Sequence, residues 1–127
     1  MKSFVSRIVG RLDIDSNSTR VGLATYGETV GTVINLNDHN TIASLQAAVS
    51  SLTHASGRAT LMHSALEYVR TMMLTSAAGD RRNVPNIVVV LTDGHSTNKT
   101  ATRVSYQCRC NYHHSIPQVL QWYASFP

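Results

Sequence analysis

Residues 87–91 read Ile-Val-Val-Val-Leu, an unbroken apolar run that passes directly into Thr92-Asp93-Gly94-His95-Ser96. A strand that is apolar at every position predicts burial on both faces, as in the middle of a parallel sheet covered by helices. In an open α/β sheet, ligands sit beyond the carboxyl ends of the strands. Asp93 therefore stands where a site is expected. The plainer reading of the same residues is a turn, opened by Asp93 and eased by the backbone freedom of Gly94.

The rest of the chain supplies elements to go with that strand. Phe4, Val5, Ile8, Val9 and Leu12 fall on one face of a helix. Residues 13–18 are a polar turn. Val21–Tyr26 and Thr29–Leu36 read as two strands of a hairpin about Gly27-Glu28. Asn40 is the expected cap of a helix that presents Ile42, Leu45, Ala48, Val49 and Leu52. Residues 53–60 are a loop. A third helix over 61–74 carries Leu61, Met62, Ala65, Leu66, Val69, Met72 and Met73 on one side, with the methionines as core. Residues 77–85 form a loop before the apolar strand. The order helix-strand-strand-helix-helix-strand predicts an α/β fold, an open sheet with helices on both faces.

Size and charge narrow the function classes. The 127 residues suffice for one domain. Eleven Lys and Arg against seven Asp and Glu give a net charge of +4, yet the basic residues form no run. A scattered set predicts a solvated surface, so no nucleic-acid binding is expected. No stretch has the ~20 apolar residues of a membrane span, and residues 1–7, without a long apolar run, are not expected to act as a signal peptide. There is no phosphate-binding loop, dinucleotide fingerprint, nucleophile elbow or H-E-x-x-H helix. Asp93 and His95, two apart in a loop, do not make a catalytic dyad, and no enzyme is expected.

Four segments in order carry a resemblance: Val-Gly-Leu-Ala-Thr-Tyr-Gly (21–27), Leu36-Asn37 before a helix, Ser-Gly-Arg-Ala-Thr-Leu-Met-His-Ser-Ala-Leu (56–66), and Ile-Val-Val-Val-Leu-Thr-Asp-Gly-His-Ser (87–96). Together they resemble the von Willebrand factor type A domain of collagen VI-like and matrilin-like matrix proteins and of integrin inserted domains, over residues 3–104. The resemblance implies a Rossmann-like open sheet and a metal-ion-dependent adhesion site. In such a site an Asp-x-Ser-x-Ser motif, a loop Thr and an Asp after the fourth strand hold one divalent cation. The positions that match are Thr60 for the loop Thr and Asp93 for the last Asp; His95 and Ser96 are neighbours. A hard ion such as Mg²⁺ suits these oxygen donors.

The departures from the pattern shape the expectation. The Asp-x-Ser-x-Ser motif and the first, central strand that carries it have no counterpart, nor do the family's last strands. Met62 and His63 stand where the family tends to have Thr and Gly. One Asp and one Thr are too few donors for a tight Mg²⁺ site, so Mg²⁺ is expected in an intact parent and no cofactor in this chain. The domain is expected to be partial over 1–104, followed by a divergent tail over 105–127. Val104-Ser105 is encodable as GTGAGT, a common intron start, which fits an origin as a fragment or mispredicted gene product. In the tail, Cys108, Cys110, His113 and His114 have no standard zinc spacing. Residues 116–126 suit a short helix.

Two function classes follow. The first is a non-enzymatic adhesion or matrix module that binds extracellular protein ligands, its adhesion site residual and non-functional. The second is a fragment that does not fold alone; an α/β enzyme or nucleotide-dependent subunit ranks behind both. The resemblance implies a secreted, matrix-resident parent. The sequons Asn17-Ser18-Thr19 and Asn98-Lys99-Thr100 make Asn17 and Asn98 glycosylation candidates in that setting.

Overall fold

A computed structural model describes residues 2–15, 17–53, 60–92 and 118–123 of the chain. Within them the fold is α/β. Helix α1 (Lys2–Val9) ends in a tightening turn, in which the Arg11 and Leu12 amides reach back three residues to Ile8 and Val9. Strand β1 (Leu23–Tyr26) turns back as β2 (Val30–Ile34), an antiparallel hairpin in which Leu23 faces Ile34 and Tyr26 faces Val30. The register slips between Ala24 and Tyr26, and there the Thr25 hydroxyl accepts the Thr32 amide at 2.8 Å in place of a backbone carbonyl.

Helix α2 (Ile42–Ser51) is capped by Thr41, one residue later than Asn40, because the Thr41 hydroxyl accepts the Ser44 amide at 3.3 Å. Helix α3 (Met62–Tyr68) runs into a π-helical stretch, Val69–Met73, closed by the Leu74 amide on the Val69 carbonyl at 2.9 Å. The wider turn rotates the end of this segment off the α3 face. Met73 is buried as expected, but Met72 is 55% exposed. A single 3₁₀ turn (Ser76–Ala78) follows, ended by Gly79 at φ 94°.

Strand β3 (Ile87–Thr92) lies parallel to β4 (Gln118–Tyr123), in continuous register from Ile87↔Gln118 to Thr92↔Tyr123. The short helix expected over 116–126 is thus a strand. Its six residues contain Val, Trp and Tyr, which favour extended backbone, and an open edge of β3 offers them a hydrogen-bonding partner.

Alternation along β1 separates two cores. Leu23 joins the cluster of Val9, Ile14, Ile34, Leu45, Val49 and Leu52, which seals α1 and α2 against one face of the hairpin. Tyr26, three residues on, points to the opposite face and packs with Met62, Leu66 and Val90, under α3. Helices therefore cover both faces, as the pattern predicts. The expectation for the apolar strand needs correction. Val90 is 6% exposed beneath α3, but Ile87 and Val89, on the other face of β3, are 65% and 46% exposed. Sequence shows that both faces are apolar, not that both are covered.

Candidate functional site

Two long-range contacts align the hairpin with the apolar strand. At one end, the Arg81 guanidinium, just ahead of β3, donates to the Asn17 and Ser18 carbonyls, just ahead of β1, at 2.9 and 2.5 Å. At the other, the Tyr26 hydroxyl, last in β1, donates to the Leu91 carbonyl near the end of β3 at 2.9 Å. Beginnings meet beginnings and ends meet ends, so β1 and β3 run in the same direction. Among the described residues they are not neighbours in one sheet; β1 pairs with β2, and β3 with β4. A tyrosine side chain, not a backbone ladder, connects them.

The carboxyl ends of β1 and β3 define the ligand-facing end expected of an open α/β sheet. Helix α3 starts there as well. The Leu61 amide donates to the Gly27 carbonyl at 2.9 Å, which ties the residue ahead of α3 to the turn that closes β1. That bond carries Thr60, half-buried, to the same end as the Tyr26–Leu91 contact. Asp93, the other metal candidate, follows Thr92 at the end of β3 but lies outside the described residues, as do His95, Ser96 and Asn98. Cys108, Cys110, His113 and His114 also lie outside them.

The structure adds one polar atom that pattern reading passes over. His63 Nδ1, in the first turn of α3, is buried and has no hydrogen-bond partner among the described residues. A buried nitrogen left so costs about 1–3 kcal/mol, which is reason to look for what it serves. Its sequence signal was a histidine at a position where the resemblance implies a small residue, close after Thr60.

The candidate donors named by the sequence are few for a hard divalent cation. Mg²⁺ requires near-octahedral oxygen coordination. Thr60 brings one hydroxyl and Asp93 one carboxylate, and the sequence has no Asp-x-Ser-x-Ser motif to complete the shell. Among the described residues no group of three or more His, Cys, Asp or Glu side chains comes together. No helix among them is long and apolar enough to cross a membrane.

Residues 1–116 match the von Willebrand factor type A domain family. Among curated proteins, the chain is similar to mouse Matrilin-1, at 38% identity over 97 residues, which is 74% of this chain and 19% of that protein. It is similar to mouse Vitrin at 32% identity, over 77% of this chain and 15% of that protein, and to chicken Integrin alpha-1 at 30% identity, over 74% and 33%. The chain thus spans a third or less of the length of these relatives. Among solved structures, proximal thread matrix protein 1 from the mussel byssus superimposes with a TM-score of 0.78 at 22% identity, covering 85% of this chain and 28% of that one. At that identity the likeness establishes the fold. A second structure of the mussel protein has a zinc-occupied MIDAS motif.

Proposed function

Since the chain belongs to the von Willebrand factor type A domain family, we propose that it is a non-enzymatic, protein-binding module of the extracellular-matrix type. It would meet its ligand at the end formed by Gly27, Thr60 and the carboxyl ends of β1 and β3. The observation that carries this reading is the paired tether, Leu61 amide to Gly27 carbonyl and Tyr26 hydroxyl to Leu91 carbonyl. It gathers three segments distant in sequence at one end of the fold, where an open α/β sheet offers a ligand its crevice. The extracellular setting is favoured by the likeness to matrilins and vitrin.

In this reading Thr60 and Asp93 are the remnant of a metal-ion-dependent adhesion site. Two oxygen donors do not hold Mg²⁺ on their own, so ligand binding proceeds by shape and polar contacts, without a bound cation. The zinc-occupied motif of the mussel protein gives the contrasting case, and a cation effect on this chain would bring the two together.

A second reading, a piece that does not fold alone, is favoured by one observation. Among the described residues, β1 and β3 lie in separate two-stranded sheets, and a two-stranded unit is marginal in water.

One experiment separates the readings. The purified chain is melted by circular dichroism in EDTA, then in Mg²⁺ or Mn²⁺, and tested for saturable binding to a decellularised matrix preparation under both conditions. A cooperative melt and saturable binding, both indifferent to cation, are the expected results. A midpoint that rises with cation would refute the remnant site, because an ion that binds only the native state stabilises it. A folded chain without saturable binding would refute the adhesion role. A broad, non-cooperative melt would establish the second reading.

A further inference from the structure

We infer that Asn17 is an N-glycosylation acceptor, held at the end of the fold opposite the ligand-facing end. Its use in the organism rests on the extracellular reading above; its competence as an acceptor rests on local structure. The sequon is Asn17-Ser18-Thr19, with a hydroxyl two residues after the asparagine as the transfer reaction requires. Asn17 and Ser18 are both exposed.

The backbone around Asn17 is secured without its side chain. The Asn17 amide donates to the Asp15 carboxylate at 3.1 Å, an Asx turn. The Thr19 amide donates to the Asp13 carbonyl at 3.0 Å, and Ile14 and Thr19 form an isolated bridge. Arg81 takes the Asn17 and Ser18 carbonyls. The Asn17 carboxamide makes no hydrogen bond among the described residues, so a sugar on its nitrogen displaces no described contact. N-glycosylation joins the amide nitrogen to the first N-acetylglucosamine of a lipid-linked oligosaccharide; the polyprenyl diphosphate leaves and the nitrogen loses one proton.

Position gives the site its meaning. The Arg81 contact that fixes the sequon also marks the starting ends of β1 and β3, and Arg20 adds a bond to the Gly79 carbonyl at 2.7 Å at that same end. Thr60 and the Tyr26–Leu91 contact are at the other. A bulky, hydrated glycan on Asn17 therefore leaves the ligand-facing end open. It shields the base of the fold and sets which end approaches a matrix ligand.

The test uses the full chain behind a grafted secretion signal in mammalian cells, read in cell lysate and medium by the gel shift that peptide-N-glycosidase F removes. Wild type, Asn17→Gln, Thr19→Ala and Asn98→Gln are compared. The expected result is a glycosidase-sensitive shift in wild type and Asn98→Gln whose Asn17 component is lost in Asn17→Gln and in Thr19→Ala. Absence of any shift in wild type, or an undiminished shift in Asn17→Gln, would overturn the inference. Matrix binding before and after glycosidase treatment tests the positional claim; binding that rises on removing the glycan would overturn it. The grafted signal makes the acceptor result independent of the native address, which is read separately from the location of the endogenous protein.

Discussion

Replacing Gly79 by alanine tests whether the turn before β3 is built as described. Gly79 is buried at φ 94°, a backbone conformation that costs an L-residue about 1–2 kcal/mol. A Cβ there would lie 2.7 Å from Asn37 Cβ and 2.8 Å from the Asn37 backbone nitrogen. Contact with backbone is relieved only by moving the chain, and overpacking of this kind costs about 1–3 kcal/mol. Together the two effects predict a loss of about 2–5 kcal/mol. Gly10 is the internal control. A Cβ there meets the Gln46 carboxamide nitrogen at 3.1 Å and the Ser6 carbonyl oxygen at 3.3 Å, looser contacts than those at Gly79, on a backbone already helical in its bonding to Ser6. Gly10→Ala should stay within about 1 kcal/mol of wild type, helped by alanine's helix propensity. Gly79→Asn separates the two causes, since asparagine tolerates a left-handed backbone but still carries the Cβ. The assay is urea unfolding followed by circular dichroism, with the midpoint compared at constant slope. Gly79→Ala within 1 kcal/mol of wild type, or Gly10→Ala falling as far as Gly79→Ala, would refute the reasoning. Full recovery in Gly79→Asn would remove the steric part and leave only the conformational one.

Other substitutions probe the two cores and the tether. Leu45 is fully buried between α1, α2 and the hairpin, so Leu45→Ala should cost about 2–5 kcal/mol in the same urea assay. Tyr26→Phe keeps the ring against Met62 and Leu66 but strips the bond to the Leu91 carbonyl; a loss of about 1–2 kcal/mol is expected, with a rise in amide exchange along β3 as the specific readout. Thr41→Ala removes the α2 cap and should cost about 1 kcal/mol, whereas Asn40→Ala should be close to neutral. Addition of Mg²⁺ or removal of cations by EDTA should leave the melting midpoint unmoved.

The sequence disclosed the fold wherever one period dominated. The hairpin, the three helices and the apolar strand all formed, because alternation over 21–36 and helical spacing over 42–52 leave little choice of element. Boundaries moved where a single side chain decided them, as when the Thr41 hydroxyl rather than Asn40 met the Ser44 amide. What failed was non-local. The tail segment 118–123 is a strand because β3 offers it an edge; its Val, Trp and Tyr favour extended backbone, but the partner that decides the outcome lies elsewhere in the chain. The exposure of Ile87 and Val89 depends on what packs over them. The position of Thr60 could be expected only from family likeness. The bond that delivers it there, Leu61 to Gly27, and the unpartnered nitrogen of His63 depend on which segments meet in space, and spacing along the chain does not encode that.

The pairing of β3 with β4 also has a consequence for the order of events during synthesis. Thr92 completes β3, and Tyr123 completes its partner 31 residues later (123 − 92). At about 5–20 residues per second on the ribosome, that gap lasts roughly 2–6 s, far longer than the microseconds in which a hairpin forms. The nascent chain holds its most apolar strand through that interval before β4 exists. α3 and Tyr26 precede β3 in the chain, so they are the partners whose contact with it does not have to wait for β4.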